Sequence, residues 1–422
     1  MRGVLKVSML ISLVWLVPCH AATTVIHAGH LIAEPGKPPL DRRSIVIEDG
    51  RITAVREGFV AGDAVVDLSD AWVMPGLIDM HSHITVTMDM ANPVADFLAA
   101  YTGRSSARAL STLPRVRAAL HNGFTTLRNL GDPASVSYDL GNAIEAGIVE
   151  GPRLIASEPQ FGVPGGDYEA FLFGARAELE GVFRSRGTCA GVTDCERVVR
   201  EEVRRGAGVI KLRLSAQPMI SPGSGPMETP EEIAAIVRTA HRLNRKVAAH
   251  SAGDSVANQL VIDAGVDTIE HGPLNDANIA GMAARGIAYT PTLLAAKITV
   301  DAGVPGMPRD YYAKALESVR KARSAGVPIL FGSDTPVVPL ERAVEEFQLL
   351  ADAGLSPDEA LATATVNAAV ALGLGETMGS IAPGKIADLI ALQRDPRSDL
   401  AEMKKVYFVM KGGKVVREDA MH

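Results

Sequence analysis

Between residues 76 and 375 the chain alternates short apolar, β-rich runs with longer stretches whose apolar positions recur at helical spacing. Eight such runs stand out: Leu77–His83, Phe124–Leu130, Arg153–Ser157, Val209–Leu214, Lys246–His250, Thr268–His271, Ala288–Thr292 and Ile329–Asp334. Helical patterns separate them, among them Pro230–Leu243, Ser255–Ala264, Asp276–Arg285 and Tyr311–Ala325. Strand and helix in alternation predict a parallel α/β arrangement. Eight units predict a (β/α)8 TIM barrel, whose chemistry sits at the C-terminal ends of its strands. An open doubly wound sheet is the competing architecture, but no Gly-x-Gly-x-x-Gly follows the first strand.

The flanks read differently. Ser44–Val55 is a hairpin about Asp49-Gly50, and Ala387–Leu392 and Val406–Val416 again give strand, turn and strand. Neither end has enough apolar surface for a core of its own. A shared small β-sandwich built from residues 23–75 and 376–422 would solve that, beside a barrel over 76–375. The stretch from Glu158 to Glu196 is long and Gly-rich, as in a lid or an assembly element.

Residues 1–22 read as a secretory signal. Arg2 and Lys6 supply positive charge, Val7 to Val17 is the apolar core, and Cys19-His20-Ala21 places small residues for cleavage after Ala21 or Ala22. A retained anchor and a lipid-modified Cys19 are the other readings; the run is short for a membrane span of about 20 residues. The expected location is therefore secreted or periplasmic, with no stable membrane span after cleavage. In an oxidising compartment Cys189 and Cys195 suggest a local disulfide, against two free thiols or a soft metal site.

Composition narrows the function. The chain has 422 residues, 47% hydrophobic and 22% charged, which is globular. A net charge of -7 gives no basic footprint for nucleic acid, and aromatics at 5% leave little base-stacking surface.

Chemistry concentrates at the strand ends. The first run closes on His81-Ser82-His83, and residues two apart on a strand point the same way, so two imidazoles aim at one place. Imidazole is a common ligand for zinc and similar ions. Lys211 lies in the fourth run, His250 ends the fifth, His271 the sixth and Asp334 the eighth. Any one has an ordinary explanation: a surface lysine, a core histidine, a helix cap. Six on one rim point to a common site.

With these residues in view, the chain resembles the amidohydrolase superfamily, in the branch near imidazolonepropionase and the Xaa-Pro dipeptidase-like hydrolases. The resemblance rests on Pro75–His83, Gly123–Arg128, Ala264–Gly272, Gly332–Thr335 and Gly379–Leu389. It implies two divalent metal ions, zinc first among candidates. His81, His83 and Asp334 would hold one, and His250 and His271 the other. Lys211 would bridge them as a carbamate, because an ammonium has no lone pair. Asp334 would also be the catalytic proton carrier. The implied reaction is hydrolysis of an amide bond in a dipeptide or N-acyl amino acid, ochratoxin-type aryl amides included. A mononuclear cyclic-amide hydrolase or deaminase, and a binding protein on the same scaffold, are the alternatives. Arg213, two residues past Lys211, is the candidate grip for a substrate carboxylate. The sequence departs from dipeptidase-like relatives in carrying no histidine over Phe161–Asp167, Ser251 rather than tyrosine after His250, and Arg128-Asn129 in place of Arg-Asp. The resemblance also implies a homo-oligomer, octamers included.

Overall fold

The computed structural model describes residues 22–88, 98–99, 101–166, 178, 181, 184–214, 225–251, 254–304 and 306–420. Residues 1–21 of the leader expected over 1–22 and much of the expected lid over 158–196 lie outside them.

Both ends of the chain meet in a single seven-stranded sheet. Its strands are β1 (Thr24–Leu31), β2 (Leu40–Glu48), β3 (Arg51–Glu57), β4 (Ala64–Pro75), β13 (Leu389–Leu392), β14 (Phe408–Lys411) and β15 (Lys414–Glu418), in the order β15-β14-β13-β4-β1-β2-β3. The expected pair of facing sheets is replaced by one, and the alternation along its strands gives the reason. Leu389, Ala391, Phe408 and Met410 pack into a core shared with Ile26, Ile45 and Val73. Their neighbours Ile390, Leu392 and Val409 point the other way, into the main core. Both faces are thus covered without a second sheet. The edge strand β3 also bonds back to the chain ahead of β13, through Ile52 N–H to Lys385 O (2.9 Å) and Gly384 N–H to Ile52 O (2.7 Å).

Seven of the eight expected parallel runs form strands in the expected order, and one short strand that was not expected, Gln160–Phe161, joins them. Three form one ladder: β5 (Leu77–Ser82), β6 (Phe124–Leu130) and β7 (Arg153–Ser157). Five form another: β8 (Gln160–Phe161), β9 (Val209–Arg213), β10 (Lys246–His250), β11 (Thr268–Glu270) and β12 (Ala288–Thr290). The ladder is not continuous. Between β7 and β9 it is carried by Gly208 N–H to Ala156 O (2.9 Å), and the run expected over Ile329–Asp334 forms only isolated bridges. That segment still bonds to both sides, through Leu330 N–H to Tyr289 O (2.8 Å) and Asp334 N–H to His81 O (2.7 Å).

The helices begin and end where their terminal residues dictate. Helix α4 (Pro230–Arg242) opens on a reciprocal Thr229–Glu232 capping box, α5 (Ser255–Ala264) on Asp254, and α6 (Asp276–Arg285) on Asn275. Gly265 and Gly286 close α5 and α6 in the left-handed conformation that glycine adopts freely. Three helices precede these: α1 (Ser105–His121), α2 (Ser137–Glu145) and α3 (Val192–Arg205). After them come α7 (Leu293–Asp301), α8 (Tyr311–Ser324) and α9 (Glu346–Asp352). No helix among the described residues is long and apolar enough to cross a membrane.

Candidate metal centre

The strand ends do what the hydrophobic pattern could not foretell. Strands β11 and β12 stop short of the expected residues, because the backbone turns left-handed at His271 (φ 66°) and Thr292 (φ 48°); Asp334 turns likewise (φ 55°). Such angles are uncommon outside glycine and cluster at functional sites. They swing three side chains over the mouth of the parallel strands.

There His81, His83 and Asp334 come together. The Nε2 atoms of His81 and His83 each lie 3.6 Å from Asp334 Oδ1, and the three residues offer ligand atoms all within 4.8 Å of one another. His271 Nδ1 is 3.9 Å from Asp334 Oδ2. The His271 ring lies between those of His81 and His250, with centroids 4.3 and 4.6 Å away. Lys211 is fully buried on β9, and its Nζ has no hydrogen-bond partner.

Burial governs the charges. It drives His81, His250 and His271 well below the ordinary imidazole value and His83 down to about 3, with the Lys211 cation adding to the effect on all four. All four are therefore neutral near pH 7 and keep a lone pair. Burial also pulls Lys211 down toward a neutral amine; the Glu270 and Asp334 carboxylates oppose this, and repulsion from Arg213 and Arg128 adds to it. It pushes Asp334 up.

Three of the histidines have one ring nitrogen fixed, which leaves the other for a ligand. His81 donates from Nδ1 to Glu270 Oε2 at 2.8 Å, and its Nε2 is buried without a partner. His83 donates from Nδ1 to Gly131 O at 3.4 Å. Thr292 gives its own hydroxyl proton to Pro291 O (2.8 Å), so its oxygen accepts from His271 Nδ1 at 2.6 Å. The donor set thus suits a divalent cation: neutral imidazoles with bare nitrogens, a carboxylate, and an orphaned amine.

Sequence reading missed the residues behind these. Glu270 accepts from Arg128 Nη2 at 2.6 Å as well as from His81, and Arg128 also donates to Thr268 Oγ1 (3.0 Å) and Met80 O (2.5 Å). Asp79 accepts from Ser333 Oγ (2.5 Å) and from the His81 and Ser333 N–H groups (both 3.0 Å), tying β5 to the segment over Ile329–Asp334. A signal was present. Arg128 stands in the second expected parallel strand, and parallel strands are covered on both faces, so its guanidinium is buried and requires a buried acid.

A cavity of about 290 Å³ opens over the centre, lined by His83, His250, His271, Asp334 and Arg213. Arg213 thus falls on the expected side. Cys189 and Cys195 are joined as a disulfide. It sits behind the cavity wall, where Cys189 N–H donates to Gly162 O at 3.0 Å and Thr188 bridges Gly162.

Known proteins share this frame. Over 440 aligned residues the chain is 30% identical to ochratoxinase from Aspergillus niger, covering 94% of this chain and 87% of that protein. Enamidase from Eubacterium barkeri is 26% identical, over 90% of this chain and 89% of that protein. A solved Xaa-Pro dipeptidase with bound methionine in its active site superimposes with a TM-score of 0.84 at 29% identity, covering 94% of this chain and all of that one. The model of the Amidohydrolase family matches residues 72–416, so the chain belongs to that family and is a hydrolase acting on carbon–nitrogen bonds.

Proposed function

We propose that the chain is an exported two-metal amidohydrolase that cleaves the amide bond of small carboxylate-ended substrates. Dipeptides and N-acyl amino acids are the substrate classes, ochratoxin-type aryl amides included. One observation carries the reading. Lys211 is buried with no partner, and its charge acts on all four histidines and on Asp334. A lysine that merely stabilised the fold would be hydrogen-bonded to its counter-ion, whereas the Glu270 and Asp334 carboxylates act on Lys211 without touching its Nζ. As a neutral amine it can add carbon dioxide and release a proton, leaving an anionic carbamate able to ligate.

His81, His83 and Asp334 would hold one ion, His250 and His271 the second, and the Lys211 carbamate would bridge them. When bound, the ions would polarise the scissile carbonyl and acidify the attacking water. The chain's own groups do the rest. Asp334 takes the proton of the attacking water and returns it to the leaving nitrogen. Glu270 and Thr292 keep His81 and His271 in the tautomers that ligate. Arg213, on the cavity wall, grips the substrate carboxylate with two parallel hydrogen bonds. Similarity to a dipeptidase and to ochratoxinase supports this substrate class. The disulfide and the leader-like start support export.

Metal analysis beside a substrate screen tests the proposal. The wild-type chain should carry about two divalent ions, hydrolyse dipeptides or N-acyl amino acids, and lose both properties in Lys211→Met. One ion per chain, unchanged in that variant, would instead indicate a mononuclear cyclic-amide hydrolase or deaminase.

A further inference from the structure

Thr292 occupies the N-cap of α7. A threonine there normally turns its hydroxyl onto the free N–H groups of its own helix. This one makes no such bond. Its backbone is left-handed (φ 48°, ψ 52°), and its hydroxyl is spent on Pro291 O and His271 Nδ1 instead. For a β-branched residue that conformation is an outlier, and it persists only where the surroundings hold it.

The surroundings are identifiable. The first two N–H groups of α7 are taken by a side chain far along the sequence. Glu346, fully buried at the start of α9, accepts from Leu293 N–H at 2.8 Å and from Leu294 N–H at 2.7 Å. Its carboxylate supplies the cap that Thr292 withholds, and it faces the positive end of the helix dipole.

We propose that Glu346 is a positioning residue for the metal centre. By capping α7 in place of Thr292, it frees the Thr292 hydroxyl to hold His271 with its Nε2 unprotonated. This rests on the reading of His271 as a metal ligand. Glu346 touches neither cation nor substrate; it acts through Thr292. A purely structural role would change folding stability and leave metal affinity as it was.

The test is zinc affinity of the full chain, by competition with a chromogenic chelator, alongside thermal unfolding of the metal-free protein. It is run at pH 9, above the value of about 8 to which burial pushes the Glu346 carboxyl. In Glu346→Gln one acceptor oxygen becomes an NH2 that cannot accept. Zinc binding should weaken about 10–100-fold, the usual cost of losing an orienting partner. Thr292→Val, which leaves both Glu346 bonds in place, should weaken it as much. Thr292→Ser should restore it. The double variant Glu346→Gln, Thr292→Val should bind no more weakly than Thr292→Val alone, because both act along one path. Glu346→Asp, which keeps the charge and shortens the reach, replaces the glutamine variant where that one fails to fold, with a loss in the same direction. Wild-type affinity in the Glu346 variants, or losses that multiply in the double variant, would overturn the proposal. A wild-type chain that binds no zinc would overturn the two-metal reading instead.

Discussion

Most charged side chains on the terminal sheet lie toward water, whereas most of those on the parallel strands are buried, Lys246 and Arg153 at the strand starts excepted. Along β2 and β3, Asp41, Arg42, Arg51, Arg56 and Glu57 are all exposed, while Ile45, Val46, Ile47 and Ile52 between them are buried. Along the parallel strands Asp79, His81, Arg128, Lys211, Arg213 and Glu270 are all buried. The first arrangement is what folding alone demands, since a charge costs least in water. The second opposes folding and has to be compensated. Arg128 is compensated by Glu270 at 2.6 Å, and Asp79 by Ser333 and two backbone N–H groups. Lys211 Nζ has no such partner. Buried, uncompensated titratable groups mark function more than stability. The backbone divides the same way. In the terminal sheet a non-glycine left-handed residue such as Asp49 serves a turn, while His271, Thr292 and Asp334 adopt that conformation to aim side chains.

The comparison breaks first at Asp334. Asp334→Asn keeps the shape and removes the proposed proton carrier. Turnover should fall roughly 10²–10⁴-fold, the usual share of general acid–base catalysis, while metal content and thermal stability change little. Steady-state kinetics with metal analysis checks it; substantial remaining activity would strip Asp334 of that role. The opposite dissociation belongs to Phe408, fully buried in the terminal core. Phe408→Ala should cost about 3–5 kcal/mol of stability by urea unfolding and leave kcat and metal content of the folded chain unchanged. A fall in kcat there would show that the two regions are not separable.

The same division explains what the sequence made legible. Apolar periodicity placed α5 and α6 to the residue and seven of the eight parallel runs nearly so, because period and caps are local facts. The amidohydrolase motifs named His81, His83, His250, His271 and Asp334 because each stands at a strand end, where hydrophobic alternation stops. Glu270 was not legible, being one acid beside a histidine; its meaning lies in Arg128, 142 residues away. Thr292 and Glu346 were hidden for the same reason, since a left-handed N-cap and a cap supplied from another helix leave no local trace. The single terminal sheet was missed because strand propensity says which face is apolar and not how many partners cover it.

Acid sensitivity sharpens the contrast on the finest scale. In the metal-free chain burial lowers His83 from 6.5 to about 3. The folded state therefore refuses a proton that the unfolded state accepts over that whole window. The group's folded pKa is depressed, so its penalty is absent above pH 6.5 and grows as pH falls from 6.5 toward 3. Each pH unit costs about 1.4 kcal/mol. Urea unfolding at pH 7.5 and pH 5.5 should show wild type losing about 1.4 kcal/mol more between the two conditions than His83→Gln, which cannot titrate. The sign is opposite for Asp79, raised by burial to about 6, whose protonation stabilises the fold as pH drops from 6 toward 3.8. Asp79 is present in both proteins and cancels in the difference. An equal acid response in the two chains would mean that His83 is hydrated in the metal-free state, and that the inward-facing rim is enforced by the ions it binds and not by the packing of the chain.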